Sequence, residues 1–215
     1  MPAQIDAGLL AALRQVETAT IGHWRHWGFC DSGLKRLQSG PVVVGTAVTV
    51  ACPAEDNAIV HYVTEKLRPG DILVIDRLNN RDIACFGEVV MRACLEAGAA
   101  GAVIDGPCTD SQAIVNAGLP VWCRGSSSRT TNVRGIAGRL NTTVSIGGVV
   151  INPGDALLCD DDGVLALRPD EVEAEVARAA ERAHRSAMTL SRLALGEKLP
   201  DISEARALIE RRTDR

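Results

Sequence analysis

Three short stretches hold the carboxylates this sequence could use for chemistry. They are Asp76-Arg77-Leu78-Asn79-Asn80-Arg81-Asp82, Phe86-Gly87-Glu88-Val89-Val90 and Asp105-Gly106-Pro107-Cys108-Thr109-Asp110. Asp76 and Asp105 each close an apolar, strand-like run, whereas Glu88 and Asp110 each open a helical pattern. In an open α/β sheet, ligands collect beyond the carboxyl ends of the strands. Carboxylates and helix N-terminal amides are therefore expected at one rim. Such a rim suits Mg²⁺, which takes few carboxylates and keeps several waters. The amides beside it suit an anionic substrate. The same residues also have a purely structural reading: Asp110 as the N-cap of its own helix, and Glu88 as a first-turn acid complementing the helix dipole.

Other reactive residues offer less. No phosphate-cradling loop, Gly-x-Gly-x-x-Gly, Gly-x-Ser-x-Gly or His-Glu-x-x-His is present. His23 and His26 stand three apart beside Trp24 and Trp27, with no third ligand evident, so packing is the expectation. His61 sits mid-helix beside Tyr62 and reads as a core or inter-subunit histidine. Asp56 and Asn57 read as caps of that helix. Cys108 is next to the candidate acids, but a nucleophilic thiol needs a base and the sequence names none. Asp160-Asp161-Asp162-Gly163 reads as a solvated turn, since the twelve-residue calcium pattern is missing.

The elements that must position these groups follow from periodicity. Helical spacing is expected at about 5–16, 56–67, 88–97 and 110–116, and from Asp170 onward. A short helical or irregular stretch is expected at 21–27. Strands are expected at about 41–50, 72–75, 102–104 and 120–123. This alternation gives βαβ units and a mainly parallel sheet. After residue 140 the style changes: 143–151 and 156–166 are strand-like with Gly147-Gly148 and Pro153-Gly154 turns, and predict hairpins or a second, smaller sheet. The phrase Pro-Gly-Asp plus a strand occurs at 69–76 and again at 153–160, a recurring turn device rather than a repeat architecture.

The 215 residues suit one domain with a substantial core, and the 46% hydrophobic, 23% charged composition is that of an ordinary globular chain. A net charge of −4, from 27 acids against 23 bases, argues against nucleic-acid binding through bulk charge. Few aromatics argue against base stacking. No apolar run is long enough to span a membrane, no secretory leader is visible, and the odd, irregularly spaced set of seven cysteines predicts reduced thiols in a cytoplasm.

The stretches Gly70-Asp71-Ile72-Leu73-Val74-Ile75-Asp76, Phe86-Gly87-Glu88-Val89-Val90, Gly98-Ala99-Ala100-Gly101-Ala102-Val103-Ile104-Asp105-Gly106 and Pro120-Val121-Trp122-Cys123-Arg124-Gly125 resemble the RraA-like family, with Asp160-Asp161-Asp162-Gly163-Val164 matching its late acidic turn. That family includes the 4-hydroxy-4-methyl-2-oxoglutarate/4-carboxy-4-hydroxy-2-oxoadipate aldolases and the regulator of ribonuclease activity A. Some members have carried a methyltransferase label, for which no glycine-rich cofactor loop is visible here. The resemblance implies a swivelling β/β/α single domain: a central mainly parallel sheet, a smaller second sheet and C-terminal helices. It divides the chain into an N-terminal helical segment (1–40), the core (41–170) and a C-terminal helical extension (171–215). It further implies a homotrimer or dimer of trimers with the site between subunits.

The aldolases resemble one another in an acid, twenty residues, then Arg-Asp. By resemblance, Glu88 takes the first acid's place, holding a water on the metal, and Asp110 takes the metal ligand's. Positions 89–108 supply the twenty intervening residues. Amides of Gly87, Glu88, Val89 and Val90 would bind a pyruvyl carboxylate. The Arg position, however, is Thr109, and the acid usual three residues after the metal Asp is Ala113. A hydroxyl cannot supply the fixed charge of a guanidinium. Arg81, Arg124 or Arg129 would then reach in, or the substrate differs, or chemistry is lost. The expectation is a Mg²⁺- or Mn²⁺-dependent lyase cleaving or decarboxylating a small anionic 2-oxo acid through a pyruvate enolate. The alternative is a non-catalytic, protein-binding regulator.

Overall fold

The computed structural model describes residues 1–213, so the last two positions of the C-terminal extension, Asp214 and Arg215, lie outside the described residues. Two short helices, α1 (Ala7–Leu13) and α2 (Thr18–Gly22), lead to the two-residue strand β1 (Lys35–Arg36) and the long β2 (Val43–Ala51). Then come α3 (Ala58–Thr64), β3 (Asp71–Asp76), α4 (Glu88–Glu96), β4 (Gly101–Ile104), α5 (Ser111–Ala117) and β5 (Val121–Cys123). The C-terminal half adds β6 (Arg139–Leu140), β7 (Val144–Ile146), β8 (Val149–Ile151), β9 (Ala156–Cys159) and β10 (Val164–Leu167). A 3₁₀ turn, Pro169–Glu171, leads into the 23-residue α6 (Val172–Ala194), then α7 (Leu199–Ile202) and α8 (Ala205–Thr213).

One large sheet has the order β1-β5-β4-β3-β2-β9-β10. Its four central strands, β5 to β2, run parallel, as β-α-β connections require. β1 lies antiparallel on β5, and β6 pairs with the carboxyl end of β2. The strands at 156–167 form the hairpin β9–β10, one of the two arrangements expected for them. It extends the main sheet, with Val43 opposite Cys159 and Thr46 opposite Ala156. Its residues are buried throughout, so it needs cover on both faces, which only a place in the central layer supplies. Only β7–β8 forms the small second sheet.

Strand alternation divides the core into three layers. Val48, Val50, Leu73, Ile75 and Ile104 face α3, α4 and α5. Ile72, Val74, Val103 and Trp122 face the β7–β8 hairpin. Over the antiparallel half, Leu158 and Leu165 meet Leu13, Ile21, Val172 and Ala179 from α1, α2 and α6. Gly98 and Gly118, both at positive φ, stop α4 and α5 where the sequence placed the stops. The Asp160 turn between β9 and β10 differs from expectation. Asp160 is buried, and its carboxylate accepts from the Thr18 amide (2.7 Å) and hydroxyl (2.8 Å) and from the Asp162 and Gly163 amides. It ties α2 to the turn.

Candidate active site

A strap of irregular chain crosses the carboxyl ends of the parallel strands and assembles the loops there. Single β-bridges join Ser126 to Cys108, Thr130 to Ala84 and Asn132 to Asp56. The Asp56 carboxylate finishes the strap, accepting from the amides of Ala58 (2.9 Å), Arg134 (3.0 Å), Ala137 (3.3 Å) and Ile136. These amides, that of Ala58 foremost, hold the Asp56 carboxyl well below the usual carboxylate range. Asp56 therefore does more than cap α3. Residues 125–137 carry no helical or strand periodicity, so this role was not visible in the sequence.

Under the strap, a cavity of about 230 Å³ is bounded by the start of α4 (Gly87, Glu88, Val89, Val90), by Thr109 and Asp110, and by Asn57, His61, Thr130 and Thr131. Asp110 does not cap its own helix as expected. Its backbone is left-handed (φ 53°), so its carbonyl starts α5 while its carboxylate turns to α4. There Oδ2 accepts the Glu88 amide at 3.0 Å, and Oδ1 lies 3.3 Å from the Thr109 hydroxyl. Gly87 makes this docking possible: a Cβ there would lie 2.6 Å from Asp110 Oδ2 and 2.6 Å from Thr109 Cγ2. The Glu88 amide is thus already engaged. The first-turn amides of Val89 and Val90 have no acceptor within the helix and are the ones left for a ligand. Glu88 is exposed, with its carboxylate 3.4 Å from Arg92 one turn on, a cation not singled out from sequence.

The expected single rim of four acids divides in two. Asp76 and Asp105 share strand parity with Val74 and Val103 and face the β7–β8 hairpin, not α4 and α5. Asp76 accepts from the Leu78 amide at 2.7 Å and the Ser145 amide at 3.1 Å. Asp105 accepts from the Gly147 amide at 2.9 Å, from Arg81 at 3.0 Å and from Arg124 Nε. Burial raises the Asp105 carboxyl above its usual value, with Asp76 and Asp31 adding to the rise. Arg124 also grips Asp31 through both terminal nitrogens, at 2.9 and 2.6 Å, holding that carboxyl at about 2. Neither Arg81, Arg124 nor Arg129 lines the cavity, and among the described residues its only basic side chain is His61.

Arg77 is wholly buried, although loop position predicts exposure. It donates to the carbonyls of Cys52 (3.0 Å), Pro53 (3.0 Å), Ala54 (2.7 Å) and Ile83 (3.0 Å), stitching the floor under the strap. Cys108 is buried against Cys123, with the sulfurs 3.6 Å apart. His23 contacts Arg182 of α6 at 3.2 Å, the packing role expected. A larger cavity of about 540 Å³ lies at Arg25, Trp27 and Glu171, but its charges are already mated, Arg25 bonding Glu171 and Glu175 at 2.9 Å each.

Among the described residues, no three His, Cys, Asp or Glu side chains converge as an all-protein metal cage. A hydrated Mg²⁺ or Mn²⁺ asks less, namely oxygen donors and one or two carboxylates. Asp110 Oδ1, with Thr109 and Glu88 beside it, is such a donor set, and it fits.

Comparison with known proteins agrees with this architecture. Residues 18–166 match the RraA-like family, described as Aldolase/RraA. A Halalkalibacterium halodurans protein named "Putative 4-hydroxy-4-methyl-2-oxoglutarate aldolase" is 35% identical over 142 residues, spanning 66% of this chain and 67% of the relative. Streptomyces coelicolor RraAS2, described as an unusual member of the RNase ES inhibitor RraA protein family, superposes with a TM-score of 0.77 at 26% identity, over 89% of this chain and 99% of its own. An uncharacterized Pseudomonas syringae protein shares the fold, with a TM-score of 0.80 at 22% identity, covering 95% and 98%. By sequence match and by fold, the chain belongs to the RraA-like family.

Proposed function

We propose that this protein is a divalent-metal-dependent lyase that cleaves or decarboxylates a small 2-oxo acid through a pyruvate enolate. The docking of the Asp110 carboxylate onto the start of α4 carries this reading, because it puts a metal-competent acid beside two free amides and a second acid. Asp110 would hold the Mg²⁺ or Mn²⁺. When bound, that ion supplies Lewis-acid polarisation of the 2-oxo group. The Val89 and Val90 amides, aided by the helix dipole, bind the substrate's carboxylate and fix its orientation. Glu88, exposed at the cavity edge, accepts and returns a proton by way of water. Thr109 orients Asp110 through its hydroxyl. Of the three arginines considered as clamps, Arg81 makes one ion pair and keeps 45% of its side chain exposed, so it can be recruited to a bound substrate. Arg124, held by two carboxylates, positions Asp105 and Asp31.

The proposal extends to assembly and location. Val89 is 75% exposed at the mouth of the site, and a neighbouring subunit in a trimer or dimer of trimers would cover it. Seven unpaired cysteines fit a reducing cytoplasm. Among the described residues, no helix is long and apolar enough to cross a membrane.

A second reading, a protein-binding regulator without catalysis, is favoured by one observation: no guanidinium lines the cavity. Pyruvate release from oxaloacetate and from 4-hydroxy-4-methyl-2-oxoglutarate, with and without Mg²⁺ or Mn²⁺, separates the two. The lyase gives metal-dependent turnover that Asp110→Ala abolishes. A rate no higher than that of free metal on both compounds overturns the lyase reading.

A further inference from the structure

The N-cap and first turn of α3 line the same cavity, and they contain an unsatisfied group. Asn57 is 8% exposed, and its Oδ1 has no hydrogen-bond partner among the described residues. Buried amide oxygens are almost always paired, so one left open beside a cavity points to a ligand. The other amide atom, Nδ2, lies 3.1 Å from His61 Nε2, one helical turn on. Both residues line the cavity that Glu88, Val89 and Asp110 also bound. The backbone fixes the pair: the Asn57 amide donates to Asn132 in the strap at 3.1 Å, and the Asn57 carbonyl accepts from Val60 and His61 at 3.0 Å each.

The pair can present either of two faces. With Nδ2 donating to the imidazole, the open atom is an acceptor. With the amide turned over, Oδ1 takes the imidazole proton, and Nδ2 becomes a free donor beside the one basic side chain of the cavity. The second arrangement is the one an anion selects. A substrate whose oxo-acid head sits on the Val89 and Val90 amides and Asp110 shares its cavity with Asn57 and His61, which are there to meet its tail.

We propose that Asn57 and His61 form a specificity subsite for the distal carboxylate of a 2-oxo dicarboxylic acid, supplying from α3 the donors that Thr109 does not. This rests on the oxo-acid reading of the Asp110 side of the cavity. It makes the two residues specificity-determining rather than catalytic, since they meet the end of the substrate remote from the bond that breaks.

The test compares two non-cleaved ligands with the same head, pyruvate and 2-oxoglutarate, by calorimetric titration of the full chain in excess Mg²⁺. Wild type should bind 2-oxoglutarate about tenfold more tightly, the effect of one charge-assisted hydrogen bond. His61→Ala, at an exposed position that tolerates truncation, should bring the ratio of the two dissociation constants to about one without changing that for pyruvate. Asn57→Ala should do the same. Asp110→Ala should weaken both ligands alike. A preference that survives His61→Ala and Asn57→Ala overturns the subsite. So does equal binding of both ligands by wild type; if that binding still depends on Asp110, the oxo-acid reading stands alone. Binding of neither ligand by wild type overturns both.

Discussion

Gly87→Ala tests whether the docking of Asp110 on α4 is what poises the site. Gly87 has φ −141° and ψ −165°, extended backbone that alanine adopts freely, so the substitution acts through contact alone. Its new methyl would lie 2.6 Å from both Asp110 Oδ2 and Thr109 Cγ2, so the carboxylate must retreat by roughly 1 Å to reach ordinary contact. That breaks the 3.0 Å bond from the Glu88 amide. Both partners are exposed and water replaces the bond, so the loss is about 1 kcal/mol, the net worth of an ordinary hydrogen bond. In a domain of this size that lowers the melting temperature by about 2–4 °C. The functional loss is larger, because displacing a reacting group by about 1 Å costs on the order of 10²-fold in rate. Mg²⁺-dependent thermal stabilisation and pyruvate release, measured side by side, read the two effects. Gly163→Ala is the control, since its Cβ meets nothing within 4 Å. A Gly87→Ala protein that keeps wild-type turnover and the full Mg²⁺ response refutes the argument.

Three further outcomes are expected. Thr109→Arg restores a fixed cation at the cavity edge and should raise kcat/KM for oxaloacetate by at least about tenfold, within the range of one transition-state donor; a fall instead identifies a substrate that the Thr109 hydroxyl itself holds. Arg77→Met leaves four carbonyls, two of them buried, without their donor and should cost about 3 kcal/mol, the low end for breaking a buried charged contact, so denaturant unfolding that shifts by under about 1 kcal/mol contradicts it. The Asp56 carboxyl titrates lower when folded than unfolded, so its stabilisation is present above about pH 4 and fades as the pH falls below that. Asp56→Asn should therefore melt lower at neutral pH, with a flatter acid limb that converges on wild type; parallel limbs would remove Asp56 from the account.

The parallel half of the fold was legible because each strand there is an apolar run closed by an acid or a turn. Residues 71–76 and 101–104 carry that signature, and Gly98 and Gly118 end the intervening helices. The hairpin at 156–167 was legible as strands but not as part of the main sheet, since both faces of a buried strand look alike in sequence. The strap was not legible at all. It holds its neighbours by single bridges at Ser126, Thr130 and Asn132, which impose no periodicity on a Gly, Ser and Thr-rich segment. The burial of Arg77 was not legible either, because a charge in a loop ordinarily sits in solvent. Its burial depends on Gly106, where a Cβ would sit 2.5 Å from Arg77 Cγ.

The division of the four acids is written in strand alternation. Asp76 lies two residues from Val74, and Asp105 two from Val103, so strand alternation places both with the hairpin-facing side chains. Glu88 and Asp110 follow no strand register, because each starts a helix beyond a loop. Alternation therefore separates acids that organise the scaffold from acids that remain for a ligand. The same reasoning applies to the missing arginine. Sequence shows that residue 109 is Thr, but the wall facing it across the cavity comes from α3, 48 positions earlier at His61, and no spacing rule links the two. The strap, bonded to Glu55 and Asn57 through Asn132 and to Ala84 through Arg129 and Thr131, and the packing of Val60 and Val63 against Val90 and Met91 bring that wall to the start of α4. A cation lost from one side of a site built this way need not be replaced on the same loop.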